Sequence, residues 1–327
     1  MTSPQFLIAA ILSAVFLPLA QFSVAQTEAP AVTPVAAPSI PATTPLGSGP
    51  YRAIMESDPG LPTHTVYRPN DLAALSGHQL PIVVWGNGAC VNAGNRFRWF
   101  LTEVASYGFL VIAIGPIGPA SVEAGPSPPA VPGTAAPRPA VLPPPATHSS
   151  QLIDAIDWAL GESARPASPY YRRLDSHKVA IMGQSCGGVQ AIEASADPRV
   201  TTTMIWNSGL MTKPTSMGGG KTLTKDDLKA LHAPTAYISG DAQDIAFANA
   251  NDDFDHLARI PVFRGYELGV PHTGTYRENN GGEFGGVAIA WLNWQLKGDQ
   301  KAAEMFTGHR CGLCVNPRWV VHTKNID

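Results

Sequence analysis

A serine stands at the centre of a glycine-flanked turn near the middle of the chain. Residues 183–187 read Gly-Gln-Ser-Cys-Gly, a G-x-S-x-G pattern centred on Ser185. The apolar residues 179–182 predict a short buried strand before it, and residues 189–192 predict a helix after it. A sharp turn between a strand and a helix exposes the serine hydroxyl, and glycine lets the flanking backbones approach closely. The pattern alone is common, so the strand and the helix are what make Ser185 a candidate nucleophile.

A serine hydroxyl needs a base, and the base needs a carboxylate that orients it. Where such a turn lies between a strand and a helix, the expected chain order is serine, acid, histidine. Five of the nine histidines follow Ser185, and only His272 lies between the last predicted strand and the closing helix. Asp241 and Asp244 both follow the strand predicted at residues 235–239. Asp244 is preferred because the apolar pair after it can bury its carboxylate, whereas Asp241 can cap the turn.

Acyl transfer also needs two backbone N–H groups that bind the developing oxyanion. One is expected from Cys186, the residue after the serine, and the other from the loop after the strand at residues 80–85. Asn87 and Gly88 are the candidates in that loop, and the sequence does not choose between them. Three side chains at strand ends are expected to line a substrate pocket: Trp85, Trp206 and Asn207. For Trp206, simple packing in the core is an equal alternative.

Segments typical of strands and helices alternate along the chain. Strands are predicted at residues 51–55, 65–67, 80–85, 109–114, 179–182, 200–206, 235–239 and 261–266. Helices are predicted at residues 97–104, 151–160, 189–192, 225–231, 251–257 and 286–296. Alternation of this kind predicts an α/β fold with a mostly parallel, eight-stranded sheet and helices on both faces. In such sheets the chemistry lies at the carboxyl ends of the strands, where all of the candidate residues fall.

With these residues in place, residues 50–300 resemble an α/β-hydrolase of the branch that contains dienelactone hydrolases and cutinase-like polyester hydrolases. The resemblance depends on the Gly-Gln-Ser-Cys-Gly-Gly turn, the acid loop at residues 240–246, and His272 with the Gly-rich turn and helix that follow it. It implies hydrolysis of small or polymeric carboxylic esters through an acyl-enzyme, without a cofactor. Ser185 would attack, His272 would carry the proton, and Asp244 would orient His272.

The chain departs from the pattern of this branch in two places. Many such enzymes have His-Gly after the third strand, where this chain has Trp85 and Gly86. Dienelactone hydrolases use a cysteine nucleophile, and because Ser185 stands here instead, their specific activity is not implied. Two alternatives to an esterase stay open. One is a catalytically silent scaffold that only binds, and the other is a serine peptidase or acyltransferase with the same triad.

The N-terminal composition predicts export. Residues 6–20 are apolar, and Ser-Val-Ala at residues 23–25 forms a small-x-small cleavage site, so residues 1–25 are expected to be a signal peptide. An uncleaved membrane anchor is the alternative, which the short apolar length opposes. The mature protein is therefore expected to be secreted or periplasmic and without stable membrane association. Only 14% of residues are charged and the net charge is -3, which gives no basic surface for nucleic acid.

Two segments lack the hydrophobic period of a core. Residues 26–49, rich in Ala and Pro, are expected to be a disordered linker. Residues 116–147 form a Pro-rich insertion after the strand at residues 109–114, and it begins at the edge of the sheet where the candidate residues lie. It is expected to be either a lid or a solvated loop. Residues 301–327 are expected to be a C-terminal tail that carries a Cys-x-x-Cys pair.

Four cysteines in an exported chain predict two disulfides. Cys311 and Cys314 are close enough in sequence for a small disulfide loop, and a zinc site with two nearby histidines is the alternative. Cys90 and Cys186 each follow the end of a strand, and the two strands are expected to be neighbours. Adjacent strands lie roughly 4.8 Å apart, and a disulfide needs Cα atoms about 4.4–6.8 Å apart. A Cys90–Cys186 bridge across the oxyanion site is therefore expected, with two buried thiols as the alternative.

Overall fold

A computed structural model describes residues 47–123 and 144–326 of the chain. The predicted signal peptide, nearly all of the linker and the centre of the Pro-rich insertion lie outside these residues. The strands are β1 (Ala53–Glu56), β2 (His64–Pro69), β3 (Leu80–Gly86), β4 (Leu110–Ile114), β5 (Leu174–Gln184), β6 (Val200–Trp206), β7 (Thr235–Gly240), β8 (Val262–Glu267) and β9 (Trp319–Lys324). The α-helices are α1 (Arg98–Ser106), α2 (Ser150–Ala164), α3 (Cys186–Ala194), α4 (Phe247–His256), α5 (Gly282–Lys297) and α6 (Gln300–Ala303).

The strands form one sheet, in the spatial order β1-β2-β4-β3-β5-β6-β7-β8-β9. Strands β3 to β8 are mutually parallel, whereas β1, β2 and β9 run antiparallel to their neighbours. The expected α/β class with a mostly parallel sheet is confirmed. All of the strands predicted from the sequence are present, and their bounds shift by a few residues.

Two apolar layers cover the central strands. Successive residues of a strand point to opposite faces of the sheet, so Val83 and Trp85 join one layer while Ile82 and Val84 join the other. Helices α1 and α5 bury their apolar faces in the first layer, and α2 and α3 bury theirs in the second. Every residue of β3 is buried, as expected for a strand covered on both sides. The rigid centre of the sheet thus presents the ends of its strands to the loops.

The sheet differs from the expectation in its ninth strand. The predicted C-terminal tail is instead anchored, because β9 pairs antiparallel with β8 from Val262–Lys324 to Glu267–Trp319. Its sequence, Trp-Val-Val-His-Thr-Lys, is rich in β-branched residues, a strand signal that lies past the closing helix. Trp319 is buried and covers the edge of the first apolar layer. The helix predicted at residues 225–231 is instead a 3-10 helix, Lys225–Ala230.

Both expected disulfides are present and confirmed. Cys90 and Cys186 are bonded with their Cα atoms 5.3 Å apart, and Cys311 is bonded to Cys314. Neither sulfur of the second pair is therefore a zinc ligand. In the described part of the chain no group of His, Cys, Asp and Glu side chains could hold a metal ion, and no helix there is long and apolar enough to cross a membrane.

The Cys90–Cys186 bond is expected to dominate the disulfide contribution to stability, because it closes a loop of 96 residues in sequence separation against 3 for the other. By loop-closure entropy, replacing both cysteines of the long-range pair with serine should lower the free energy of unfolding by about 4–5 kcal/mol. The matched replacement of Cys311 and Cys314 should cost about 2 kcal/mol. Urea unfolding of the two variants measures the difference, and equal losses would contradict the expectation.

Candidate active site

Ser185 stands in a strained turn between β5 and α3. Its backbone has φ 55° and ψ -119°, a region that a non-glycine residue rarely adopts. Such strain costs about 1–3 kcal/mol and persists only where the surroundings hold the turn. Here the Ser185 amide donates to the Trp206 carbonyl at 3.0 Å, and the Ser208 hydroxyl donates to the Ser185 carbonyl at 2.6 Å. These contacts to the end of β6 keep the serine hydroxyl at the carboxyl edge of the sheet.

The glycines of the turn are required by close approach of three elements. A Cβ on Gly187 would lie 2.1 Å from the Gly86 carbonyl carbon at the end of β3. A Cβ on Gly183 would lie 2.1 Å from the carbonyl oxygen of Gly187. Because both contacts are with backbone, no side-chain movement could relieve them. The G-x-S-x-G spacing therefore follows from the packing of α3 against β3 and β5.

His272 lies between the serine and an aspartate. Its Nε2 is 2.9 Å from the Ser185 Oγ, and its Nδ1 is 2.6 Å from the Asp244 Oδ1. A carboxylate accepts only, so Nδ1 carries the proton and Nε2 is free to accept from the serine hydroxyl. The Gln184 side-chain amide donates to the His272 carbonyl at 3.0 Å, which ties the histidine loop to the end of β5. The three residues chosen from the sequence are thus brought together in hydrogen-bonded order.

Asp244 is buried, and both of its carboxylate oxygens accept hydrogen bonds. Its Oδ1 also accepts from the Ala246 amide at 2.9 Å, and its Oδ2 accepts from the Asn207 side chain at 2.8 Å. Burial raises the pKa of this carboxyl, and the hydrogen bonds from His272, Ala246 and Asn207 more than offset it, so its pKa lies below the ordinary value. The Tyr276 hydroxyl donates to the Asn207 Oδ1 and so orients the amide toward the carboxylate. The acid is therefore held ionised and fixed in direction.

The other candidate acid has a different role. Asp241 accepts from the Gly269 amide at 2.8 Å and so links the loop after β7 to the loop after β8. The reason given for preferring Asp244 is only half right, because Ile245 is 57% exposed and does not cover the carboxylate. Ala246 is buried and contributes its amide.

The loop after β3 lines a cavity beside the serine with Gly88, one of the two candidates from the sequence, and with Ala89, which the sequence analysis did not single out. Asn87 is completely buried, and its side chain accepts from the Trp85 indole and donates to three backbone carbonyls. It holds the shape of the loop. Gly88 and Ala89 line a cavity beside Ser185, and Ala89 is the exposed residue of the 3-10 turn Gly88–Cys90, with φ 55°. No periodic pattern marks such a turn, so the sequence carried no signal for Ala89.

The two tryptophans expected at the pocket are core residues. Trp85 and Trp206 are both fully buried. They pack in an aromatic cluster with Phe97, Phe100, Tyr276 and Phe284. The alternation of a strand explains this, because both residues point into the first apolar layer rather than along the strand end. The rings of this cluster pack around Tyr276, and the Tyr276 hydroxyl orients Asn207 through a hydrogen bond. Of the three expected pocket residues, only Asn207 borders a cavity at the serine.

Two cavities meet at Ser185 and His272. The larger, about 580 Å³, has mostly apolar walls, formed by Val189, Met211, Met217, Ile245, Pro144 and Pro145. The smaller, about 140 Å³, lies between the loop after β3 and the histidine loop and includes Arg96 and Arg277. A further cavity of about 700 Å³ lies beside the start of β3 and the first part of β5, and none of Ser185, Asp244 and His272 lines it. Of these three cavities, only the first two border Ser185 and His272.

No protein-family model and no curated protein matches this chain. Its chemistry must therefore be inferred from the geometry of the site.

Proposed function

We propose that this chain is a serine hydrolase of the α/β-hydrolase fold that cleaves carboxylic esters through an acyl-enzyme. The observation that carries the proposal is the continuous path from the Ser185 hydroxyl through His272 to Asp244, with contacts of 2.9 Å and 2.6 Å. The triad logic requires a nucleophile, a base and an orienting acid within hydrogen-bond reach. The three residues follow β5, β7 and β8, in the chain order that the fold uses.

In the first half-reaction, the Ser185 Oγ attacks the ester carbonyl carbon while His272 Nε2 accepts the hydroxyl proton. The Cys186 amide at the start of α3 and the Ala89 amide are proposed to donate to the oxyanion. The tetrahedral intermediate collapses when the imidazolium returns the proton to the leaving alkoxide. Water then repeats the cycle on the acyl-enzyme, which releases the acid and restores the serine. Asp244 stays ionised throughout and stabilises the imidazolium.

Several features support an ester as the substrate and an exported protein as its catalyst. The larger cavity offers mainly apolar walls next to the serine, which suit an alkyl or aryl group of an ester. Two disulfides suit an oxidising compartment, as does the signal peptide proposed for residues 1–25. Secretion or periplasmic location is therefore part of the proposal. A binding scaffold without catalysis would not need a histidine aligned with both an acid and a strained serine.

A fluorophosphonate probe tests the proposal directly, because it reacts only with an activated serine. We expect stoichiometric labelling of the wild type at Ser185, located by peptide mass mapping, and no labelling of Ser185→Ala. Ser216→Ala is the matched control, since Ser216 borders the same larger cavity but is hydrogen-bonded to Thr222 at 2.8 Å. It should remain labelled. An unlabelled wild type, or equal labelling of Ser185→Ala, would end the serine hydrolase proposal.

A further inference from the structure

A buried ion pair lies behind the loop that follows β6. Asp253 of α4 is completely buried, and its Oδ1 accepts from the Lys225 ammonium at 2.5 Å. Lys225 also pairs with Asp252 at 2.8 Å, and that second carboxylate is partly exposed. The proposed triad uses neither Asp253 nor Lys225, so the reason for burying two charges must lie in their other contacts.

Burial of this carboxylate costs free energy. Burial raises the pKa of Asp253 to about 6, and attraction from the Lys225 ammonium opposes the rise. Apolar side chains of similar volume often stabilise a fold as well as a buried ion pair does. The stability of the fold therefore does not account for Asp253, which points to a role in holding other groups in place.

The second oxygen of Asp253 holds the loop after β6. Its Oδ2 accepts from the Leu210 amide at 2.8 Å. One residue earlier, the loop meets the backbone of α4 so closely that a Cβ on Gly209 would lie 2.7 Å from the Ala250 nitrogen. The loop is thus fixed against the helix by a charge-assisted hydrogen bond and by backbone contact.

The same loop supports two members of the proposed triad. The Asn207 side chain donates to the Asp244 Oδ2 at 2.8 Å, and the Ser208 hydroxyl donates to the Ser185 carbonyl at 2.6 Å. Asn207 has φ 41°, a conformation that a non-glycine residue keeps only where its surroundings hold it. Met211, at the far end of the loop, borders the larger cavity. A shift of this loop would therefore disturb the acid, the nucleophile and the cavity wall together.

We infer that Asp253 is a positioning residue of the proposed hydrolase, because it fixes the loop of residues 207–211 that holds the acid and the nucleophile in line. The inference rests on the ester hydrolase activity proposed for the same site. Asp253 borders neither cavity at the serine, so its effect passes through the loop. Loss of the loop contact should lower kcat more than it raises KM, because alignment of the triad is lost before substrate contacts are.

Two replacements of similar volume separate the hydrogen bond from the charge. Asp253→Leu removes both the acceptor of the Leu210 amide and the ion pair. Asp253→Asn removes the ion pair but keeps an oxygen that can accept from Leu210, and in both variants Lys225 retains Asp252 as its partner. We expect Asp253→Leu to lower kcat for 4-nitrophenyl butyrate by about 10- to 100-fold, the loss typical of a small misplacement of catalytic groups. Asp253→Asn should stay within about threefold of the wild type, because a neutral acceptor replaces a charged one.

Asp252→Leu is the matched control, since it makes the same change one residue earlier. It removes the other carboxylate that pairs with Lys225, but within the described residues the Asp252 side chain makes no hydrogen bond to the loop after β6. Its kcat should stay within about twofold of the wild type, as for most substitutions of exposed side chains. Thermal unfolding shows that each variant is folded at the assay temperature, which separates lost alignment from lost stability. Should Asp253→Leu not fold, Lys225→Met with Asp253→Leu removes the buried pair as a whole and carries the same expectation.

The failures of the two proposals are distinguishable. If wild type is labelled at Ser185 by the fluorophosphonate and hydrolyses the ester, but folded Asp253→Leu keeps kcat within about threefold, the positioning role is wrong and the hydrolase proposal stands. Equal losses in Asp253→Leu and Asp253→Asn, or in Asp253→Leu and Asp252→Leu, also overturn the role, because the hydrogen bond to the loop would then not be the cause. If wild type is neither labelled nor active on the ester, the proposed function itself fails and the inference fails with it.

Discussion

Ser185→Ala is expected to lower kcat for a 4-nitrophenyl ester by about 10⁶-fold, the loss typical of removing a triad nucleophile. The serine hydroxyl lies 2.9 Å from the base, and no other described hydroxyl is hydrogen-bonded to His272. Without it the acyl-enzyme cannot form, and only water attack assisted by the oxyanion donors remains. Release of 4-nitrophenolate under single-turnover and steady-state conditions measures the effect.

The control for this prediction is non-additivity. His272→Ala should cost about as much as Ser185→Ala, and the double variant should be little worse than either, because the two residues act as a unit. Thermal unfolding shows whether each variant is folded. A Ser185→Ala variant that keeps more than about one hundredth of the wild-type kcat would contradict the assignment of the nucleophile, given the losses known for such residues.

Asp244→Asn is expected to lower kcat by about 10⁴-fold. The substitution places an amide where His272 Nδ1 now donates at 2.6 Å to a carboxylate. An amide N–H facing the ring would favour the wrong tautomer and would no longer stabilise the imidazolium. The effect should fall on kcat more than on KM, because the acid touches the base and not the substrate. The kinetics of a 4-nitrophenyl ester series measure it.

Asp241→Asn is the matched control, since it makes the same chemical change three residues earlier. Its carboxylate holds the Gly269 amide at 2.8 Å and does not contact His272. We expect kcat within a few-fold of the wild type, because loss of one partly exposed hydrogen bond costs about 0.5–1.5 kcal/mol. A larger loss in Asp241→Asn than in Asp244→Asn would reverse the choice of acid made from both sequence and structure.

The proposed nucleophile and base were predictable because each depends on a local feature. The turn around Ser185 is marked by glycines whose spacing follows from backbone contact at Gly183 and Gly187. The position of His272, in the loop after β8, follows from chain order once the strands are recognised. The Cys90–Cys186 bond was predictable in the same way, because the ends of neighbouring parallel strands lie within disulfide reach.

Other features could not be read from residue types. The hydrogen bonds that choose Asp244 come from Asn207 and Ala246, and neither residue carries a sequence signal for this role. The pleat of β3 and β6 places Trp85 and Trp206 in the core, although both stand at the strand ends where a pocket was expected.

By itself, the sequence determined the class of fold and the order of the elements, and it predicted the serine and the histidine that the structure brings together. These depend on periodicity and on short-range steric constraints, which are properties of neighbouring residues. Only the tertiary structure decided that Ala89 of the loop after β3, together with Arg96 and Arg277, shares a cavity with Ser185. Loops have no period that fixes side-chain direction, so contacts between them depend on how distant segments pack. The proposed catalytic set therefore follows from the order of residues along the chain, whereas the cavities beside it form only where distant loops meet.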